Sequence, residues 1–325
     1  MRVFVTGGTG LVGSALVKKL RERGDQVIAL SRHPDAAKQL WRDSVTIIEG
    51  DAAQRGPWME AVSDCDAVVH LAGEGIFKRR WSQEFKDLIY SSRIKSTDNI
   101  VAGLGKTPVG AESPPLADGR GSDLAPGERV RARVLINGSA IGYYGPHGDE
   151  ELTENSLAGN DFLAKVCVDW EKATQAASVH GVRVVLLRTG VVLDKSGGAL
   201  ANMLTPFKMC AGGPIAGGRQ YMSWIHIEDE VGLIVFALDH AELQGPLNAT
   251  APNPVTNKEF SKALGKVLGR PSFLPTPGFA LRVMLGESSQ IITQGQRVMP
   301  RQALAAGYVF KFTDVEAALR DLLVK

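Results

Sequence analysis

The strongest constraint lies at the start of the chain, where a short apolar run passes straight into a cluster of glycines: Arg2-Val-Phe-Val-Thr-Gly-Gly-Thr-Gly-Leu-Val-Gly13. Arg2 to Val5 reads as a buried strand. Leu11 to Glu22 reads as a helix, with apolar positions at Leu11, Val12, Ala15, Leu16 and Leu20. Strand, glycine turn and helix in that order give a dinucleotide fingerprint its physical meaning. Gly7 and Gly8 permit a sharp turn, Gly10 lets backbone approach a pyrophosphate, and Gly13 lets the helix lie close on the strand. The helix start then offers free N–H groups and positive dipole to phosphate oxygens. Gly7, Gly10, Leu11, Val12 and Gly13 are therefore candidate cofactor contacts. The plainer reading is an ordinary glycine turn, and the strands that follow weigh against it.

Gln26 to Leu30 is a second strand, ending in Ser31-Arg32. An NAD-preferring fold places a carboxylate there for the ribose 2′-OH, whereas Arg32 can pair with a 2′-phosphate and Ser31 can donate to it. The position therefore favours NADP(H), against a plain reading of a solvated surface arginine. Val45 to Ile48 is a third strand, and Asp51 beyond it is placed near an adenine or as a cap for the next turn. A fourth strand runs from Asp66 into Leu71-Ala72-Gly73, at the strand end where ligands sit in such sheets. His70 reads as a wall residue. Trp81 to Leu104 reads as a long helix carrying Arg93, a further candidate cofactor contact. The alternation predicts an α/β fold, a Rossmann-type doubly wound parallel sheet with a smaller C-terminal substrate lobe.

Residues 105–131 break the pattern with Gly, Pro, Ser and charge, and read as a flexible surface insertion. Arg133 to Ile136 resumes the sheet as a fifth strand, and Val182 to Leu187 is a sixth. The chain divides into a Rossmann domain at 1–190, a substrate lobe at 191–270 and a small helical C-terminal domain at 271–325. In the last of these, 279–285, 291–298, 301–306 and 314–323 read as helices. Val315, Ala318, Leu319 and Leu322 make one apolar face there, matched by Phe260, Leu264 and Val267 before Pro271.

A net charge of +2 gives no argument for nucleic acid or a membrane surface. Three cysteines, Cys65, Cys167 and Cys210, are too few and scattered for a disulfide framework and lack metal-ligand spacing. No apolar run approaches the roughly 18 residues of a membrane span. The expectation is a cytoplasmic monomer or homodimer acting on a small molecule.

After the fifth strand comes Asn137-Gly-Ser-Ala-Ile-Gly-Tyr-Tyr-Gly145. With the opening motif, His70-Leu-Ala-Gly73, Arg80-Trp81, Ser92-Arg93, Arg188-Thr-Gly-Val-Val-Leu193, Gly197-Gly-Ala-Leu200, Ser223-Trp-Ile-His-Ile-Glu-Asp229 and Pro300-Arg-Gln-Ala-Leu304, the chain resembles a known superfamily. This is the extended and atypical short-chain dehydrogenase/reductases, in the nucleotide-sugar epimerase/dehydratase branch. It resembles more closely the epimerase-family proteins with a small C-terminal domain of unknown function. The resemblance implies a serine that polarises a substrate carbonyl, matched by Ser139. It also implies a Tyr-x-x-x-Lys pair for proton transfer. Lys165 stands at the lysine position, but Asp161 stands where the tyrosine belongs, and no tyrosine here has a lysine four residues on. Tyr143 or Tyr144 could supply the phenol from the preceding loop, with Tyr143 the candidate proton donor. Gln220, Trp224 and His226 are candidates to face the substrate, although His226 could equally brace the lobe.

These residues imply an NADP(H)-dependent oxidoreductase or nucleotide-sugar-epimerase-like enzyme for a small polar substrate. The competing class is an NADP(H)-binding sensor or scaffold without turnover.

Overall fold

A computed structural model describes residues 1–106 and 133–324. From residue 107 on, the expected insertion at 105–131 lies outside the described residues. The first half of the chain alternates strictly: β1 (Arg2–Thr6), α1 (Leu11–Glu22), β2 (Gln26–Ser31), α2 (Pro34–Trp41), β3 (Thr46–Glu49), α3 (Trp58–Ser63), β4 (Ala67–His70), α4 (Gln83–Leu104) and β5 (Val134–Ala140). A short β6 (Glu151–Leu152) and α5 (Phe162–Gln175) lead to β7 (Arg183–Thr189). Then come β8 (Val191–Leu193), α6 (Gly198–Lys208), β9 (Tyr221–Met222), β10 (Trp224–His226), α7 (Ile227–Asp239) and β11 (Gly245–Ala249). The chain ends with β12 (Val255–Thr256), α8 (Asn257–Leu268), α9 (Gly278–Leu285), α10 (Gln290–Thr293), β13 (Arg297–Val298), α11 (Arg301–Ala305) and α12 (Val315–Leu323).

Seven strands form one sheet in the order β11-β7-β5-β4-β1-β2-β3, with every neighbouring pair parallel. The order reverses at β1, so the crevice above β1 and β4 is the topological switch point of a doubly wound fold. Helices cover both faces, which is why the central strands are apolar on both sides. Val3, Val5, Val69, Ile136 and Val185 join one core, and Phe4, Val68, Leu135 and Val184 join the other. The alternation is the period of two that a strand imposes on its side chains.

Differences from the sequence reading have local causes. The fifth strand runs on to Ala140 because Asn137, Gly138 and Ser139, although polar or bare, are buried at the centre of the sheet. The last sheet strand is Gly245–Ala249. Pro246 fits there because β11 is an edge strand and needs no ladder donor on its open side. The stretch 291–298 is not one helix: it breaks after Thr293 and ends as β13, paired with β6. Gly295 lies against the Tyr221 backbone, where an added Cβ would come within 2.2 Å of the carbonyl oxygen. Helices α2 and α3 are short and were not legible in the apolar spacing.

The C-terminal residues share the main core. Phe260 and Leu264 of α8 and Val315, Ala318, Leu319 and Leu322 of α12 belong to the same buried cluster as the sheet strands. Among the described residues no helix is long and apolar enough to cross a membrane.

Candidate functional site

The turn after β1 has a shape that only glycine permits. Gly7 has φ +69°, and a Cβ there would lie 2.8 Å from the Leu71 carbonyl. A Cβ on Gly13 would lie 2.1 Å from the Gly7 oxygen. The turn therefore presses on the end of β4, and α1 presses on the turn. The Gly10 amide donates to the Gly7 carbonyl at 2.9 Å. Gly10 is also the N-cap of α1, with no side-chain cap and no acidic residue in the first turn. The first amides of α1 are thus left for an anion. Leu11 and Val12, at that helix start, are half-buried. A cleft of about 280 Å³ opens there, lined by Thr9, Gly10, Leu11 and Ser14 and, from the far lobe, by Ser196 and Gly197.

The end of β2 carries the next candidates. Ser31 is buried, and its hydroxyl oxygen accepts the His33 amide at 3.1 Å, leaving its own proton to donate. Arg32 is exposed and makes no ion pair among the described residues. Asp51 is half-buried and accepts the Ala53 amide at 2.9 Å, so it caps the turn after β3.

Leu71 and Ala72 are half-buried beyond β4, and Gly73 packs on the Arg93 side chain. Arg93 donates through Nη1 to the carbonyls of Glu74 and Ile89, each at 3.0 Å, and its guanidinium stands 5.1 Å from the centre of the Trp170 ring. His70 is a wall residue, fully buried, between Thr6 Oγ1 at 2.5 Å and Ser96 Oγ at 3.0 Å. Burial, then the Arg93 charge, push it down to about 3, so it stays neutral.

The end of β5 holds a buried polar network that motif reading missed. Ser139 Oγ donates to Glu171 Oε1 at 2.7 Å. Arg188 grips the same carboxylate twice, Nε to Oε1 at 2.9 Å and Nη2 to Oε2 at 2.8 Å. Burial works against the Arg188 charge, but the Glu171 bonds outweigh it and hold the guanidinium above its usual range. Arg188 also donates to Tyr144 Oη at 3.0 Å and to the Glu154 carbonyl at 3.3 Å. Tyr144 Oη in turn donates to Asn248 Oδ1 at 2.7 Å. No spacing in the sequence announces a glutamate on α5 that meets an arginine on β7. The contact exists only once α5 lies on the sheet.

This network revises the proton chemistry expected from resemblance. A hydroxyl has one proton, and a carboxylate gripped by an arginine has none to return. Ser139 is 6% exposed and spends its proton on Glu171, which is at odds with donating to a substrate carbonyl. Tyr144 is fully buried, and burial pushes its phenol up to about 12 against the lowering effect of Arg188. Tyr143 differs from both. It is half-buried, its ring lies 3.5 Å from the Arg188 guanidinium carbon, and its hydroxyl has no hydrogen-bond partner among the described residues. Asp161 is not inside α5 but is its N-cap, accepting the Ala164 amide at 2.8 Å. Lys165 is exposed on the first turn of α5, with no ion pair among the described residues.

The three candidates for a substrate face are turned inward. Trp224 is fully buried and donates to the Asn253 carbonyl at 3.1 Å. His226 is 1% exposed, caps α7 by accepting the Glu228 amide at 3.0 Å, and stacks on Phe312 at 3.9 Å. Burial lowers its pKa, and its Nε2 lies 3.5 Å from Asp321 of α12. Gln220 donates to the carbonyls of Ile215 and Ile292 at 3.0 and 3.1 Å. Their bonded polar atoms are taken by the loops at Ile215 and Asn253, by the start of α7 and by Ile292 of α10. The bracing reading of His226 is the one the geometry supports.

A parallel sheet with its switch point above an uncapped, glycine-started helix defines a dinucleotide-binding Rossmann protein. The chain belongs to the NAD-dependent epimerase/dehydratase family, which it matches over residues 3–249, and it carries a domain of unknown function, DUF1731, over 276–322. It is 41% identical over 325 residues to the chloroplastic epimerase family protein SDR39U1 homolog of Arabidopsis thaliana, covering 99% of this chain and 87% of that one. It is 37% identical to epimerase family protein SDR39U1 of Bos taurus, covering 99% and 100% of the two chains. A crystal structure of human SDR39U1 (isoform 2) with NADPH superimposes with a TM-score of 0.81 at 32% identity, covering both chains fully.

Proposed function

We propose that the chain is an NADP(H)-dependent enzyme of oxidoreductase or epimerase type acting on a small polar substrate. The carrying observation is the turn at Gly7–Gly13, pressed on β4 and ending at uncapped amides of α1. That shape packs the turn on the sheet and leaves its amides open to a pyrophosphate. The exposed, unpaired Arg32 beside a Ser31 hydroxyl with a proton to give supports NADP(H) over NAD(H), and the human relative was solved with NADPH.

When bound, the nicotinamide would supply the carbon that gives or takes a hydride. The chain's own residues do the rest. The glycine turn, with Leu11 and Val12, binds the pyrophosphate, Ser31 and Arg32 hold the 2′-phosphate, and Asp51 borders the adenine. Leu71, Ala72, Gly73 and Arg93 would line the crevice toward the nicotinamide ribose, and Lys165 would hold that ribose. Tyr143 gives or takes the proton at the substrate oxygen. Ser139, through Glu171 and Arg188, keeps the end of β5 and the Tyr143 ring in place.

Calorimetry with NADPH and NADH tests the binding half: Arg32→Ala should weaken NADPH far more than NADH, and equal losses refute the preference. Turnover with a panel of sugars, aldehydes and quinones, lost in Tyr143→Phe, tests the chemical half. A second reading, a nucleotide sensor without turnover, draws on the commitment of Ser139, Tyr144 and Asp161 to structural bonds. Tight NADPH binding with no turnover on any substrate would favour it.

A further inference from the structure

We infer that the turn Asp194–Gly198, which belongs to the C-terminal lobe, closes over the cofactor pyrophosphate, so that both parts of the fold hold the nucleotide. This rests on the NADP(H) reading above. The cleft at the start of α1 has two walls. Thr9, Gly10, Leu11 and Ser14 make one, and Ser196 and Gly197 make the other. The second wall is held by its own hydrogen bonds. Asp194 bridges to Gly197, and its carboxylate accepts both the amide and the hydroxyl of Ser196, at 2.7 and 2.5 Å. It is also seated on the first wall. A Cβ on Gly197 would lie 3.1 Å from Leu11 Cδ1, and one on Gly198, at φ +68°, 3.2 Å from Leu11 Cδ2. Two adjacent glycines let the lobe come this close to the helix that starts the phosphate site.

The chemistry of the cleft matches a pyrophosphate diester. That group carries two negative charges and takes hydrogen bonds on both sides. α6, like α1, begins after a glycine with no side-chain cap and has no acidic residue in its first turn. The uncapped start of α1 and the Ser196–Gly197 turn that leads into α6 therefore border one space, with the hydroxyl protons of Ser14 and Ser196 already given to the Leu11 carbonyl and the Asp194 carboxylate. A pyrophosphate held there ties the lobe to the Rossmann sheet, so cofactor binding also seats the substrate wall.

The full chain tests this by binding and by proteolysis. Ser196 is exposed, so Ser196→Glu should leave the core folded while placing a carboxylate against the phosphates, and Ser196→Ala, which loses only the bond to Asp194, should bind NADPH nearly as wild type. The affinity of Ser196→Glu for NADPH and for NADH should fall in parallel, each by about tenfold or more. Its affinity for 2′-AMP, which lacks the pyrophosphate, should hold. Arg32→Ala should show the opposite pattern, losing NADPH and 2′-AMP but little NADH. Lys195 is exposed in the same turn, so saturating NADPH should slow tryptic cleavage after it by about tenfold. Wild type that binds NADPH while Ser196→Glu binds it equally well would overturn the inference and leave the NADP(H) reading standing. So would unprotected cleavage at Lys195, as expected if the turn serves a phosphorylated substrate instead. Wild type that binds neither nucleotide would remove both.

Discussion

Glu230 makes stability fall as pH rises through neutrality. It sits in the first turn of α7, fully buried, and accepts the Thr189 hydroxyl, at 2.8 Å on Oε1. Its Oε2 has no partner among the described residues. Burial pushes the carboxyl from 4.5 up to about 8, with the Thr189 bond pulling weakly the other way. Below pH 4.5 both folded and unfolded chains hold the proton, and the group has no effect. Between 4.5 and about 8 the unfolded chain releases it and the folded chain keeps it. Stability therefore drops by up to about 1.4 kcal/mol per pH unit over that window, and by about 5 kcal/mol once pH exceeds the folded value. Glu230→Gln keeps the size and removes the titration. Its amide puts two unpaired N–H donors where the protonated carboxyl has one O–H, so at acidic pH it should be the weaker protein by about 1–3 kcal/mol. The two curves should cross on the way to alkaline pH, where the variant becomes the more stable. Urea melts of both proteins, spaced from about pH 5 to about pH 9, read this directly as the difference in slope. Parallel slopes would refute the reasoning, because they would mean that Glu230 reaches solvent or a cation in the folded state.

Other perturbations separate the roles assigned above. Tyr144→Phe strands Asn248 and removes a bond from Arg188, so it should cost about 1–3 kcal/mol in urea melts, whereas Tyr143→Phe should move stability by less than about 0.5 kcal/mol and act on turnover alone. Arg188→Met leaves the buried Glu171 charge uncompensated and should cost about 3–5 kcal/mol; adding Glu171→Leu should recover part of that loss, and strictly additive losses would refute the pairing. Asp161→Ala removes a helix cap, so it should cost about 1 kcal/mol by thermal melting and leave NADPH affinity unchanged.

The Rossmann half was readable because its signals are local. A strand buried on both faces needs consecutive apolar residues, and a turn that touches a phosphate and a neighbouring strand needs glycine, so β1, β2, β4 and the Gly7–Gly13 turn announce themselves in one dimension. The start of α8 is set by a capping box between Thr256 and Glu259, a signal carried by four consecutive residues. The proton chemistry at the end of β5 was not readable in this way. Ser139, Glu171, Arg188 and Asn248 come from four separate elements and Tyr144 from the turn after β5, and each alone is an ordinary polar residue. Trp224 and His226 looked available because they stand in a motif, but Trp224 donates to Asn253 and His226 caps α7 and stacks on Phe312 in packing the lobe.

The sequence by itself determined the parallel sheet, the phosphate turn and the basic end of β2, since backbone sterics and charge act within a few residues. Only the tertiary structure decided which hydroxyl still has a proton to give, which histidine faces inward, and which lobe residues close on α1. Those outcomes depend on hydrogen-bond partners and burial that neighbouring residues in the chain do not supply.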